Sequence, residues 1–111
     1  MNPRRVHELM RERFPRFNYA ELNWQLLSRG IDDQTAQVLQ YLRDHFADNE
    51  LLVEVTRKSG GLYSLEEAAT IIARNVGSSE IRVANRAFTS FAVVGQPGVV
   101  ATWRGANSSN P

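Results

Sequence analysis

The chain of 111 residues contains no cysteine and only two histidines, His7 and His45. Without thiols it can form no disulfide, use no thiolate as a nucleophile and hold no zinc through sulfur. Two isolated imidazoles also leave little material for a metal site or a histidine general base. The absence of cysteine is compatible with a reducing cytosol.

Long apolar runs are missing as well. The N-terminal residues include Arg4, Arg5 and Glu8, and no apolar segment of the kind found in secretory signal peptides follows them. No run approaches the roughly 20 apolar residues that a membrane-spanning helix requires. We therefore expect a soluble, cytoplasmic protein that does not engage a membrane.

Motifs that carry chemistry are equally scarce. No serine lies in the pattern of a nucleophile elbow. Gly60 and Gly61 precede a helical pattern, but the lysine and the glycine spacing of a phosphate loop are missing. Asp44, His45 and Asp48 are close in sequence, but on a helix only the two aspartates would share a face. We expect no enzymatic activity, no catalytic residue, no small-molecule substrate, no cofactor and no bound metal.

The chain does contain the material for one hydrophobic core. Hydrophobic residues make up 42% of the sequence, with two Trp, five Phe and three Tyr. A chain of this length usually forms one domain and buries about two-thirds of its unfolded surface. We expect a single domain over residues 1–104 and a flexible Ser/Asn-rich tail over residues 105–111.

Caps and apolar spacing predict three helices in the first half of the chain. Asn2 and Pro3 indicate a helix start, followed by an apolar stripe at every fourth position. Asn18 and Glu21 have the spacing of a capping box and predict a second helix, which ends at Gly30. Either Asp32 or Asp33 would cap the third.

The apolar period changes to two over residues 51–57, which predicts a strand. The Ser-Gly-Gly sequence at 59–61 predicts a turn. Ser64 and Glu67 form a capping box for a fourth helix, and Gly77 ends it. Three further strands are predicted, from Ile81 to a turn near Asn85, from Phe88 to Val94, and from Val99 to Arg104, with Gln96-Pro97-Gly98 as a tight turn before the last.

The predicted order ααα-β-α-βββ is typical of an α+β fold with two layers. The helices would pack on one face of a small, mostly antiparallel sheet of three or four strands. The side chains predicted to lie largely in its core are those of Val53, Val55, Ile72, Val83, Phe91 and Val93.

The net charge of +1 conceals three blocks of alternating sign. Residues 1–16 carry five arginines and two glutamates, a net charge of +3. Residues 17–56 carry two arginines and seven acids, a net charge of −5, and residues 57–111 return to +3. The acidic block either attracts a basic partner or forms the solvated faces of helices.

Nucleic-acid binding is the main alternative for a chain of this composition. The N-terminal arginines favour it, and residues 26–42 can be read as a helix-turn-helix. However, Asp32 and Asp33 would lie at the start of the recognition helix and repel the phosphates of the nucleic acid. Phe88 and Phe91 are predicted on opposite faces of one strand, where RNA-stacking aromatics can occur, but the basic motif that accompanies them is absent. The N-terminal arginines that favour nucleic-acid binding are Arg4, Arg5, Arg11, Arg13 and Arg16.

The C-terminal stretch Glu80 to Arg104, EIRVANRAFTSFAVVGQPGVVATWR, resembles the closing β-meander of small bacterial immunity proteins. These proteins accompany polymorphic toxins, such as those of contact-dependent growth inhibition systems. The resemblance covers about a quarter of the chain and is a pattern of strands with a terminal Gly-Val…Trp. The family shares no catalytic residues, so no functional position is carried over. The resemblance implies a cytosolic protein that binds one cognate toxin tightly.

This resemblance and the acidic block lead to one functional expectation. We expect an immunity protein that neutralises a toxin, a basic nuclease in the simplest case, by protein–protein contact. Asp32, Asp33, Asp48 and Glu50 are the predicted partner-binding residues, because helix ends and the turn into a strand project from a scaffold. Small nucleic-acid-binding proteins and structural subunits are the competing classes.

Overall fold

The structure is a computed structural model that describes residues 1–27, 31–56, 58–96 and 98–105, and of residues 31–33 the backbone alone. The predicted helix end at Gly30, the predicted turn residue Pro97 and the predicted tail after Gly105 lie outside the described residues. In chain order the elements are α1 (Pro3–Arg13), a 3-10 turn (Tyr19–Glu21), β1 (Gln25–Leu26), α2 (Ile31–His45), β2 (Glu50–Thr56), β3 (Ser59–Ser64), α3 (Leu65–Asn75), β4 (Ile81–Ala84), β5 (Ser90–Gly95) and β6 (Val99–Arg104).

Six strands form one antiparallel sheet in the spatial order β1-β6-β5-β4-β2-β3. The predicted α+β class is therefore confirmed. The predicted element order is wrong in two places, because over the described residues the chain has three α-helices instead of four and two more strands than expected. One difference arises because β1 pairs with the distant strand β6, and the other because β3 forms a hairpin with β2, which precedes it directly.

The segment predicted as a Ser-Gly-Gly turn is the beginning of β3. Gly60 lies opposite Glu54 of β2, and Gly61 lies opposite Val53. A Cβ atom on Gly60 would lie 2.6 Å from the Val53 carbonyl oxygen, so a side chain at this position would force the two strands apart. Two adjacent glycines are a common turn signal, and only the strand pairing reveals that they serve close backbone packing.

The predicted second helix does not form. Asn18 accepts a hydrogen bond from the Ala20 amide at 3.0 Å, but the turn that it caps is only three residues long. The chain then extends, and Leu26 pairs with Val99 at the edge of β6. The Leu27 amide continues this pairing with a 2.8 Å hydrogen bond to the Gly98 carbonyl. Pairing with the open edge of β6 is thus favoured over the helix that the local sequence predicts.

One face of the sheet is covered by α2 and α3. Alternate residues of β2, Leu51, Val53 and Val55, point to this side and are buried. The helices contribute apolar side chains that include Val38, Leu42, Phe46, Ala68, Ala69 and Ile72. Burial of these side chains is the main driving force for the fold.

The opposite face is covered by α1, which corrects the prediction that all helices share one face. Val6 and Met10 of α1 pack against Leu52 and Val93, and they are almost fully buried. Leu52 of β2 and Phe91 and Val93 of β5 belong to this second cluster, so both faces of these strands require cover. The predicted core is confirmed, because Val53, Val55, Ile72, Val83, Phe91 and Val93 are all buried.

The helix starts predicted from capping residues at Asn2 and Ser64 are confirmed, although the predicted number of helices is wrong. The Asn2 side chain accepts a hydrogen bond from the Arg5 amide at 2.8 Å and begins α1 as predicted. Ser64 and Glu67 form the complete capping box of α3, with reciprocal hydrogen bonds of 3.2 and 3.1 Å. Gly77, at φ +90°, takes the left-handed conformation just after α3.

The packing of α1 on the second face predicts a large effect of truncating its buried stripe. We expect Met10→Ala to lower the free energy of unfolding by about 2–5 kcal/mol, because it removes buried contacts and leaves a cavity. Glu12→Ala, on the exposed side of the same helix, should change it by less than about 0.5 kcal/mol. Urea unfolding followed by circular dichroism measures both, and equal effects would contradict this placement of α1.

Candidate functional site

The four acidic residues predicted to bind a partner lie in two separate places. Asp32 and Asp33 belong to the first turn of α2, where only their backbone is described. Asp48 lies three residues beyond the end of α2, and Glu50 is the first residue of β2. Because α2 has 15 residues and is about 22 Å long, the two pairs do not form one patch.

The acids at the C-terminal end of α2 are available to a partner. The side chain of Glu50 is 53% exposed and lies 4.0 Å from the Arg86 guanidinium. Asp48 is half-buried and has no ion pair within the described part of the chain. A single exposed ion pair contributes little to stability, so Glu50 remains free to interact with another molecule.

His45, next to these acids, has a structural role. Its Nε2–H donates a 2.9 Å hydrogen bond to the Trp103 carbonyl, and Arg104 donates to the His45 carbonyl at 3.1 Å. Burial lowers the pKa of the imidazole below its ordinary value, Arg104 lowers it further, and the hydrogen bond to Trp103 opposes both. Nowhere in the described chain do three His, Asp or Glu side chains cluster as they would around a metal ion.

His7 is paired with Glu54, so α1 and β2 are also linked by polar atoms. Nδ1 of His7 contacts the Glu54 carboxylate, and both side chains are largely buried. A carboxylate of this kind can orient a histidine for catalysis. However, no hydroxyl group is hydrogen-bonded to His7 among the residues that the structure describes. The pair therefore lacks the nucleophile that such a mechanism needs.

Aromatic rings gather on the α1 side of the sheet, beyond the end of that helix. Phe14 lies at the centre and contacts Phe91 and Trp103 edge to face, with ring centroids 5.3 and 5.8 Å away. Phe88 also joins this cluster, 6.4 Å from Phe91. It precedes β5 with φ +56°, so the prediction that Phe88 and Phe91 occupy opposite faces of one strand is wrong.

A groove of about 490 Å³, which we call the arginine groove, opens beside this cluster. Its central residue is Arg82 of β4, whose guanidinium lies 5.4 Å from the Phe14 ring centroid. Nε of Arg82 donates to the Glu80 carboxylate at 2.9 Å. The described residues that line the groove are Met10, Arg11, Phe14, Pro15, Arg16, Phe17, Tyr19 and Arg82.

A second depression of about 440 Å³, which we call the aromatic pocket, shares Tyr19 with the arginine groove. Tyr19 and Trp24 stack with centroids 5.7 Å apart and planes 12° apart. Trp24 Nε1 donates to the Tyr19 carbonyl at 2.7 Å, and the Tyr19 hydroxyl donates to Glu80. The described lining consists of Tyr19, Trp24, Glu80, Gly95, Gln96 and Val99.

An exposed apolar side chain extends the aromatic pocket towards the sheet edge. Leu26, in β1, is 74% exposed, and Tyr19 is 54% exposed. This surface is not predicted by the helical pattern of residues 18–30, which places Leu26 on the buried stripe. The sequence contains one signal against a helix here, the five-residue separation of Tyr19 and Trp24. Neighbouring side chains on a helix are three or four residues apart, so these two rings would not stack on one.

Comparison with known proteins identifies no relative of this chain. No model of a protein family, no curated protein and no solved structure matches it. In the described part of the chain, no helix has the length and hydropathy needed to span a membrane. Function must therefore be argued from the surfaces themselves.

The lowered pKa of His45 predicts a specific dependence of stability on pH. The unfolded chain takes up a proton near pH 6.5, before the folded protein does. The contribution of neutral, buried His45 to the free energy of unfolding is therefore complete above about pH 6.5. It is lost as the pH falls through the lower pKa of the folded state. We expect His45→Gln to lose less stability than the wild type between about pH 7.5 and pH 5.

Thermal unfolding of both proteins across this range measures the effect. His45→Gln changes no other titratable side chain, so the difference between the two curves isolates His45. Glutamine can still donate a hydrogen bond to the Trp103 carbonyl. Two parallel curves would show that burial of His45 does not couple protonation to folding.

Proposed function

We propose that this chain is a cytoplasmic immunity-type protein that binds and neutralises a cognate bacterial toxin by protein–protein contact. The observation that carries the proposal is the surface formed by the exposed Tyr19 and Leu26 with the half-buried Trp24 near the edge of the sheet. Tyrosine and tryptophan are enriched among the residues that dominate binding energy at protein interfaces. A neutralising protein needs such a surface and a stable scaffold, and it needs no catalytic group.

The rigidity of this surface supports a role in tight binding. Stacking and two hydrogen bonds fix the rings of Tyr19 and Trp24 before a partner arrives. Side chains that are already ordered lose little conformational entropy on association. Leu26 is held in place by the pairing of β1 with β6. The partner would therefore meet a preformed apolar surface.

The acidic block supports a basic toxin, such as a nuclease, as the partner. Nucleases are positively charged where they hold phosphate, and opposite charges accelerate encounter. The proposed partner-binding acids remain Asp32, Asp33, Asp48 and Glu50. Because they lie at two ends of α2, we propose that one pair contacts the toxin directly and the other contributes through its long-range field.

The direct test requires a cognate toxin, which we would seek in the reading frames next to this gene. Co-expression of the wild-type chain should restore the growth of cells that produce the toxin. We expect Trp24→Ala combined with Leu26→Ala to abolish protection, because the variant loses its apolar anchors. Ile71→Ala, a half-buried apolar residue on α3, serves as the matched control and should protect fully.

Melting temperatures must accompany the growth assay, so that lost binding is distinguished from lost folding. A folded Trp24→Ala, Leu26→Ala variant that still protects would exclude this surface as the interface. Failure of the wild type to protect would argue against toxin neutralisation altogether.

The two acidic pairs are separated by single charge-neutralising variants. Asp33→Asn probes the start of α2, and Glu50→Gln probes the beginning of β2. The variant nearer the interface should slow toxin association at low salt, with a smaller effect at high salt. Glu12→Gln on α1 removes the same charge elsewhere and is the control. Stopped-flow association rates equal to wild type for both variants would show that the acidic block does not steer binding.

Nucleic-acid binding is the second candidate, favoured by the exposed arginines of α1 and by the arginine groove. Affinity for duplex DNA falls steeply with salt where arginines replace condensed counterions. Tight duplex binding at physiological salt, lost in Arg11→Ala with Arg13→Ala, would favour this candidate over toxin binding.

A further inference from the structure

Three guanidinium groups converge on the arginine groove, and most of their hydrogen-bonding capacity is unused. Arg11 lies on α1, Arg16 follows that helix, and Arg82 projects from β4. Within the described structure, Arg11 and Arg16 have no hydrogen bond or ion pair, and Arg82 uses only Nε. Each guanidinium presents a planar fork that matches phosphate geometry.

The charge of the groove favours an anion. No acidic side chain is among its described lining residues. Glu80, beside the groove, is engaged by Nε of Arg82 and by the Tyr19 hydroxyl. Glu8 and Glu12 line a different depression with Arg11. The Phe14 ring beneath the Arg82 guanidinium shields one face of it from water, which strengthens electrostatic interactions at this point.

The walls of the groove are aromatic rings with exposed surface. Phe17 and Tyr19 lie edge to face, with centroids 5.0 Å apart and an interplanar angle of 70°. Phe17 is half-buried and Tyr19 is exposed, so both have ring surface open to a ligand. Aromatic side chains of this kind stack with nucleobases, whatever the base.

We propose that the arginine groove binds a nucleotide, with the phosphate held by Arg11, Arg16 and Arg82 and the base against Phe17 or Tyr19. The volume of about 490 Å³ lies in the usual range of ligand pockets, roughly 300–1,000 Å³. The same chemistry is offered by a free nucleotide and by one residue of a single-stranded nucleic acid. This site shares Tyr19 with the proposed toxin surface, but its three arginines line only the groove, so the two proposals are tested by different variants.

Calorimetric titration of the purified chain with AMP tests the proposal. Adenosine, inorganic phosphate and phenyl phosphate serve as partial ligands, and a single-stranded dodecanucleotide serves as the polymeric source. We expect AMP to bind at least about tenfold more tightly than each partial ligand, because only AMP offers both a base and a phosphate. Weaker discrimination, or no binding of AMP and the dodecanucleotide, would overturn the proposal.

Two double variants of equal charge locate the site. Arg11→Gln with Arg16→Gln removes two groove guanidiniums and should weaken AMP binding by about tenfold or more. Arg4→Gln with Arg5→Gln removes two guanidiniums at the opposite end of α1, beside Glu8, and should weaken it less than about twofold. Equal losses would show that only net charge matters and would overturn the proposal.

Arg82→Gln adds a third probe but also removes contacts with Glu80 and Phe14, so its melting temperature is measured first. The exposed pair Arg11 and Arg16 keeps the test decisive if Arg82→Gln does not fold.

Tighter binding of the dodecanucleotide than of AMP, with the same response to the groove variants, would identify single-stranded nucleic acid as the source. Equal affinities would identify the free nucleotide.

Discussion

Strands β2 and β5 carry apolar side chains on both sides, so covering a single face would leave Leu52, Phe91 and Val93 in water. Exposure of such side chains costs about 1.5–3 kcal/mol each. The chain meets this constraint by placing α2 and α3 on one face and α1 on the other. The α1 helix, with 11 residues, packs mainly over β2 and β3, and the face of β5 and β6 needs further cover.

The segment after α1 supplies that cover, which explains why it is rich in aromatic residues. Phe14 contacts Phe91 and Trp103, and Phe17 contacts Trp103. The chain then reaches the edge of β6 in an extended conformation. Aromatic side chains that remain after the core is filled become exposed at this edge. The surface proposed for toxin binding is therefore a consequence of how the second face is closed.

The same closure brings arginines together that are far apart in sequence. Arg11 and Arg16 follow one another along α1 and the residues after it, but Arg82 reaches the groove only because β4 lies beneath this segment. The acidic residues behave differently, since α2 holds them apart at its two ends. The arginine groove and the two ends of α2 are thus different places on the molecule, and each fits a different class of ligand.

The sequence by itself determined the α+β class, the helix starts at Asn2 and Ser64, and the buried positions of β2, β4 and β5. These depend on local hydrogen bonds and on apolar periodicity, which neighbouring residues encode. Only the tertiary structure decided that Gly60 belongs to a strand, that Leu26 is extended and that α1 lies on the second face. The last two outcomes depend on a strand edge and a sheet face that distant residues contribute, and the first depends on the backbone pairing of Gly60 with Glu54, which the turn signal Gly-Gly does not reveal.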